Sequence, residues 1–483
     1  MRRSIFHYRP QDGYFGDTVP FFWQGQYHLF YLKGQSDPWR RVKYTPYCHL
    51  VSIDLVHWQE LPIALELGSI DEIDMSLGTG TIIEKDGTFN LLYCGRVFQG
   101  DRSSGNPHWE KSAIETVCLA TSKDLITWVK DSRNPILVPD DRLYELSDFR
   151  DPFPFWNEEE KCYWMLIAGK QKGVPLPGTL ALAVSLDLEH WELKPPFLAP
   201  NLTPMAPECP DLFQSGNFWY LYYSCDRHTV YRYAHQLSGP WLRPFSDPRD
   251  HWNIYAPKTL FDGKRRFLMG WIATKTNEQD NGSIEWGGDS LIPRQLEALP
   301  DGRLAESCPI EIIAACSENV PYQIQPCVGH WQIDDNHAVA SRTDGLAYTK
   351  IKGIPDHFLL DMTLACNQIV SASCAAGVMF RASNDLQTHY ALRLEFDRKR
   401  VVVERFPHSS ETAFLVERPL TAELGQPVHI QLFVDGDILE GFINDEYALA
   451  CRLYDFVDGD VGLFCEFSQT LYSNITIKAL PMH

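Results

Sequence analysis

Ser52-Ile53-Asp54-Leu55-Val56-His57-Trp58, Ser122-Lys123-Asp124-Leu125-Ile126-Thr127-Trp128 and Ser185-Leu186-Asp187-Leu188-Glu189-His190-Trp191 share one pattern, Ser-x-Asp-Leu-x-x-Trp, at intervals of 70 and 63 residues. Leu237-Ser238-Gly239-Pro240-Trp241 is a shorter fourth copy. A fixed period reveals architecture that local propensity misses. The Trp of each copy reads as packing between repeated units. A second series accompanies the first: Tyr27 to Leu32, Phe89 to Cys94, Tyr163 to Ala168, Phe218 to Tyr223 and Phe267 to Ile272 are aromatic or apolar runs suited to buried strands. Four of them follow a turn signal at Gly25, Gly87, Gly216 and Gly263, and the other follows the polar run Asn157 to Lys161. Five units of short strands, with no long helical pattern between them, predict an all-β fold, a five-bladed β-propeller.

Counting eight residues back from each turn (from Glu159 in the third unit) reaches Asp17, Thr79, Asp151, Glu208 and Tyr255. In a propeller the innermost strands run alongside the central axis, so equivalent early positions on them converge on one funnel. Three acids far apart in sequence then share one pocket.

The period ends near residue 310, after Leu291-Ile292-Pro293-Arg294 and the turn at Asp301-Gly302. From His357 onward, strand-like segments separated by Asn, Asp and Gly turns (Phe358 to Ala365, Ala376 to Ala382, Tyr390 to Phe396, Val401 to Phe406, Val428 to Val434, Val461 to Phe467) read as a β-sandwich. The expected division is a propeller over 1–310 and a C-terminal sandwich over 311–483, with a short linker at about 311–330. The sandwich either binds carbohydrate or covers a propeller face, and packing is the favoured reading.

The 483 residues carry 43 Lys+Arg against 63 Asp+Glu, a net charge of −20, and are 44% hydrophobic and 22% charged. Such a chain folds around a large core, and its acidity repels phosphate backbones and anionic lipid headgroups. Neither nucleic acid nor membrane is an expected partner. Met1-Arg2-Arg3-Ser4-Ile5-Phe6-His7-Tyr8 has no sustained apolar stretch, so no signal peptide or membrane span is read and a cytoplasmic protein is expected. The 13 cysteines include no C-x-x-C pair and read as reduced and mostly buried. No metal-ligand spacing, G-x-G-x-x-G, P-loop or G-x-S-x-G motif occurs; His49 and His57 read as structural, and no metal is assigned.

Two carboxyl groups flanking a scissile glycosidic bond suffice for glycoside hydrolysis: one attacks the anomeric carbon and the other protonates the leaving oxygen. A third can hold ring hydroxyls. The acid needs a raised pKa, which crowding by two other carboxylates supplies, and Glu208, beside Cys209 and Pro210, is the natural candidate.

Phe149-Arg150-Asp151-Pro152, Pro207-Glu208-Cys209-Pro210-Asp211-Leu212-Phe213 and Asp54-Leu55-Val56-His57-Trp58 resemble the "RDP", "ECPDLF" and "DLVHW" motifs of glycoside hydrolase family 32, the invertases, fructanases and other β-fructofuranosidases. Tyr255-Ala256-Pro257-Lys258-Thr259 and Trp286-Gly287-Gly288 are similar to its later blades. The resemblance runs in order over residues 7 to about 310, and the C-terminal part fits that family's sandwich. It implies that Asp17 is the nucleophile, Asp151 the transition-state stabiliser on ring hydroxyls and Glu208 the general acid/base. Arg150 contacts the sugar in this reading, and Trp286, Tyr255 and Trp39 line the subsite. No cofactor is implied. Where the family usually has Trp-Met-Asn-Asp-Pro-Asn-Gly, this chain has Tyr14-Phe15-Gly16-Asp17-Thr18-Val19-Pro20. Leu32 stands where Gln is common, and Gly78-Thr79-Gly80-Thr81 replaces Phe-Ser-Gly-Ser, with Thr79 keeping a hydroxyl. Each lost amide shifts specificity by about 1–3 kcal/mol.

The expected function is therefore retaining exo-hydrolysis of terminal β-D-fructofuranosyl residues from sucrose or fructo-oligosaccharides. The alternatives are a hydrolase or transglycosylase for a different furanoside, and a non-catalytic carbohydrate-binding protein. The expected partner is a small oligosaccharide or disaccharide, and the sandwich is a candidate surface for a homo-oligomer.

Overall fold

The computed structural model of the chain describes residues 3–37, 42–98, 113–245, 253–334, 336–371, 374–408 and 414–482. Its first part is a five-bladed β-propeller. Tyr14–Trp23, Gln26–Asp37, Tyr47–Ser52 and Gln59–Leu65 make the first blade; Ser76–Lys85, Thr88–Phe98, Ala113–Ser122 and Trp128–Lys130 the second; Tyr144–Asn157, Cys162–Gln171, Gly178–Ser185 and Glu192–Thr203 the third. Among the described residues the fourth has three strands, Glu208–Ser215, Phe218–Cys225 and His228–Ala234. The fifth combines Ile254–Phe261, Arg266–Lys275, Arg294–Ala298 and Leu304–Ser307. Ile284–Ser290 closes the ring, pairing with Arg266–Lys275 on one side and, through Gly288 opposite Phe15, with the first blade on the other.

The five apolar runs are the second strands of the five blades. Their preceding hairpins are tight because the chain enters left-handed backbone there, as at Gln24-Gly25 (φ 48° and 83°) and Asp86-Gly87 (φ 51° and 71°), the geometry of two-residue turns that match strand twist. The Ser-x-Asp-Leu-x-x-Trp repeat is the turn from third to fourth strand in the first three blades. Asp54, Asp124 and Asp187 each accept two backbone N–H groups across the turn, and the central Leu55, Leu125 and Leu188 are left-handed and buried. The indole N–H groups of Trp58, Trp128 and Trp191 return to those leucine carbonyls at 3.1, 3.1 and 3.0 Å. The tryptophans also pack between units, Trp128 meeting Phe30 of the first blade edge-on at 5.7 Å. Apolar clusters fill each junction between successive blades and the junction of the fifth with the first. Burial at about 25 cal/mol per Å² of apolar surface thus holds the blades around the axis.

The second part is a β-sandwich whose layers are joined by the long strand Asp460–Ala479, which pairs with His337–Lys352, His357–Ile369 and Ala375–Ala382. Leu360, Met362, Ile430 and Leu432 point into its core, while Leu359, Phe433, Phe442 and Ala448, on the opposite face of the same sheet, pack on Phe6, Val56 and Ile292 of the propeller side. Within 311–330 the chain forms the end of a short helix, Ile310–Ala315, and the strand Gln323–Val328, which pairs with His337–Lys352. No helix among the described residues is long and apolar enough to cross a membrane.

Candidate active site

Each innermost strand carries a β-bulge at the same height. Gly16-Asp17 oppose the single residue Leu32, Gly78-Thr79 oppose Cys94, Asp151-Pro152 oppose Ile167, Cys209-Pro210 oppose Tyr223 and Ala256-Pro257 oppose Gly270. A bulge bends the strand and re-aims side chains, here toward the axis. Asp151, Cys209 and Ala256 take left-handed backbone there, at φ 58°, 52° and 52°. The equal offset counted in the sequence lands on three different positions of this device. Asp17 and Thr79 are second in the bulge, Asp151 is first, and Glu208 and Tyr255 precede it.

Asp17 Oδ1 accepts the indole N–H of Trp271 at 3.1 Å and that of Trp286 at 3.2 Å, and Trp286 also reaches Oδ2 at 3.3 Å. Asp151, buried, accepts the backbone N–H of Cys209 on Oδ2 at 2.9 Å. Arg150 donates to Glu208 Oε1 from Nε (3.1 Å) and Nη2 (2.9 Å), while the Tyr255 hydroxyl donates to Oε2. Arg150 is itself anchored by Glu115, whose Oε2 accepts its Nη1 at 2.9 Å and the Phe149 N–H at 3.1 Å, and by Asp148 at 2.9 Å. The other oxygen of Glu115 takes Arg96 at 2.6 Å. A chain of charge therefore runs from Arg96 through Glu115 and Arg150 to Glu208.

Burial, with repulsion from Asp151 and Glu208, pushes Asp17 up to about 7 against the two indole hydrogen bonds. Burial likewise raises Asp151 to about 6, where Glu208 adds to the rise and Arg150 and Lys258 oppose it. Glu115 stays below the usual carboxylate range because Arg150 and Arg96 outweigh its burial. Lys258 is buried and crosses the axis: its Nζ donates to the Gly80 carbonyl (2.7 Å) and Thr81 Oγ1 (2.8 Å) of the second blade. Burial lowers its pKa, opposed by Cys209, Asp211, Asp151 and Asp17. Three coupled carboxylates in one site can divide the work of nucleophile and proton donor, and their titrations belong to the group rather than to single residues.

Of the residues singled out in the sequence, Asp17, Asp151, Glu208, Arg150, Tyr255 and Trp286 meet in this constellation through the contacts above. Thr79 sits in the second blade's bulge, buried, with its hydroxyl making no hydrogen bond among the described residues. Trp39 lies outside the described residues. His49 is buried against His28, Nε2 to Nδ1 at 3.0 Å, and burial holds both well below the ordinary histidine range; His57 caps the turn aspartate Asp54 at 2.8 Å. Sequence reading missed Trp271, Glu115 and Lys258. Glu115 and Lys258 each carried a signal, as the one charge in the strands Ala113–Ser122 and Ile254–Phe261. A cleft of about 950 Å³ opens elsewhere, between Arg3 to Gln11 and the sandwich near His357, and none of the three acids lines it.

The chain matches the family model described as Glycosyl hydrolases family 32 N-terminal domain over residues 7–307, and that described as Glycosyl hydrolases family 32 C terminal over residues 333–479. It is 26% identical to a raffinose invertase of Escherichia coli, over 99% of this chain and 94% of that protein. It is 24% identical to a sucrose-6-phosphate hydrolase of Escherichia coli, over 93% of this chain and 88% of that protein. Among solved structures, fructan 1-exohydrolase IIa from Cichorium intybus superposes with a TM-score of 0.73 at 19% identity, over 99% of this chain and 98% of that one.

Proposed function

The chain belongs to glycosyl hydrolases family 32 and is a glycosidase, and from that premise we propose how it releases terminal β-D-fructofuranosyl residues, from sucrose or fructo-oligosaccharides, with retention of configuration. The observation that carries the proposal is the meeting of Asp17, Asp151 and Glu208 at bulges of the first, third and fourth blades. Asp17 attacks C2 of the fructosyl ring. Among the described residues its Oδ2 takes only the longer arm of Trp286, which leaves it a lone pair for the attack. As the C2–O bond to the leaving group breaks, Glu208 transfers its proton to the departing oxygen, and a fructosyl ester of Asp17 remains. Glu208 then takes a proton from water, whose oxygen attacks C2 from the vacated side, and Asp17 leaves as carboxylate. Asp151 accepts hydrogen bonds from ring hydroxyls, Arg150 and Tyr255 hold Glu208 toward the leaving oxygen, and Trp286 walls the ring.

A trio that keeps one proton meets the stoichiometry of this cycle, since one member must be ionised as nucleophile while another is protonated. Gly16 and Leu32, which carry no amide, favour a second reading in which the same chemistry acts on a different furanoside. We further place the propeller's end near residue 310 and the protein in the cytoplasm, a reducing compartment that suits 13 cysteines in the thiol form.

Product analysis on sucrose, 1-kestose, inulin, levan and aryl furanosides tests the proposal, with Asp17→Ala and Glu208→Ala alongside. The expected result is fructose released first as the β-anomer, abolished in both variants. Cleavage confined to a non-fructosyl furanoside overturns the sugar and keeps the mechanism; turnover surviving in Asp17→Ala overturns the mechanism.

A further inference from the structure

The indole of Trp286 lies flat against backbone of the first blade. A Cβ built on Gly16 would fall inside the van der Waals envelope of Trp286 Cζ2 and Cη2 and 2.8 Å from the Leu32 carbonyl oxygen. One built on Gly34 would overlap Cζ3 and stand 3.1 Å from Cε3. The Leu32 side chain, facing the Gly16-Asp17 bulge from the paired strand, is buried in the apolar cluster on which Trp286 packs, and the Trp271 ring closes the other side at 6.0 Å. From this bed the Trp286 N–H spans both oxygens of Asp17, at 3.2 and 3.3 Å.

We propose that Gly16, Leu32 and Gly34 form a seat for the Trp286 indole, and that Gly16 and Gly34 are positioning residues for Asp17, acting chiefly through that ring. The assignment of Asp17 as nucleophile rests on the reading above; the seat itself does not. Any side chain at position 16 pushes the ring away from the bulge, and the carboxylate then loses a donor that opposes the rise caused by burial and by Asp151 and Glu208. Cys209, Tyr47 and Lys258 also face Asp17 across the axis, and the substitutions below leave them in place.

The test is a double-mutant cycle of Gly16→Ala with Trp286→Phe, since Phe lacks the outer ring atoms that the new Cβ would meet. Gly16→Ala should lower kcat/KM about 10- to 100-fold. It should also move the pH–rate profile upward by about one pH unit, as expected for loss of one hydrogen bond to a charged group. In the Trp286→Phe background, whose profile is already shifted, the same substitution should change both quantities markedly less, the remaining effect being the approach of the new Cβ to the Leu32 carbonyl. Equal effects of Gly16→Ala in both backgrounds, or an activity loss with the profile unmoved, overturn the proposal. The thermal transition is read in the same four proteins at pH 8. Gly16→Ala should lower it more when Trp286 is present than in the Trp286→Phe background, where only the approach to the Leu32 carbonyl remains, and this difference decides the seat even if no fructoside is turned over. If Gly16→Ala does not fold, Gly34→Ala, which meets the ring at its far edge, takes its place with the same outcomes.

Discussion

Replacing Asp17 with Asn should stabilise the protein while abolishing hydrolysis. Burial and two neighbouring acids lift this carboxyl from 3.8 to about 7, so the folded state resists its ionisation. The sign follows from linkage: a group whose folded pKa lies above its unfolded one costs nothing below the unfolded value, and the cost grows as pH rises toward the folded value and is complete above it. At 1.36 kcal/mol per pH decade the full cost is about 4 kcal/mol, and because the side chain keeps some contact with solvent about 2 kcal/mol is the working figure. Asn keeps Oδ1, which accepts both indole N–H groups, so the exchange removes charge while conserving the contacts. Differential scanning calorimetry from pH 4.5 to pH 8 measures the effect. The variant should exceed the parent by no more than about 1 °C at the acid end and unfold about 4 °C higher at pH 8. A transition at pH 8 no higher than that of the parent, or an advantage that does not grow with pH, refutes the claim that the trio stores electrostatic strain.

The remaining expectations concern the rest of the charge network. The singly protonated trio is the active form, so kcat/KM against pH should be a bell with its maximum between about 6 and about 7, the range over which the coupled acids titrate as a group; a flat profile across that range contradicts the assignment. Glu115→Gln leaves the guanidiniums of Arg96 and Arg150 without their shared buried anion, which should cost about 3–5 kcal/mol in denaturant unfolding and lower kcat about 100-fold as Arg150 releases Glu208. His7, fully buried, is pulled down by burial, but hydrogen bonds to Asp435 (2.6 Å) and Glu440 (3.0 Å) prevail and raise it to about 9. Its contribution, about 3 kcal/mol at full strength, is complete below pH 6.5 and lost as pH rises through 9, so the thermal transition should fall over that range in the parent and far less in His7→Gln.

The parts of the molecule that were legible in the sequence are those whose causes are local. The hydrogen bonds that define the Ser-x-Asp-Leu-x-x-Trp turn, those onto the Asp carboxylate and from the Trp indole, close within seven residues, so its repetition could be seen without knowing the fold. The second strand of each blade is packed on both faces and reads as an apolar run. The convergence of Asp17, Asp151 and Glu208 was legible for a more indirect reason: the bulges lie at a nearly constant distance from the hairpins, so a fixed offset reaches the right neighbourhood without resolving the bulge. Trp271 and Lys258 were missed because their contacts span the ring. Trp271 meets Asp17 across 254 residues, and Lys258 meets Gly80 across 178. In the sandwich, Ile438–Ile443 and Tyr447–Arg452 escaped notice because every residue in them is buried and no alternation marks them as strands.

The division of labour among the blades explains why this fold can keep three acids together. The first, third and fourth blades supply the carboxylates. Their donors come mostly from the fifth: Trp271 and the closing strand's Trp286 on Asp17, Tyr255 on Glu208, and the Lys258 ammonium, which holds down the proton affinity of Asp151. The second blade contributes Glu115 and Arg96, which fix Arg150 from behind and so orient Glu208 without touching it. Each acid thus takes its donors from a blade other than its own, the blades being joined by separate apolar clusters, and the spacing among them depends on blade packing rather than on any one loop. Because the donors are preorganised, charge that develops on Asp17 and Glu208 during the reaction meets dipoles already in place, the condition under which a low-dielectric site lowers a barrier. The electrostatic strain that Asp17→Asn would release is the other side of that arrangement: the donors offset part of the repulsion among the acids, and the blade clusters sustain the remainder.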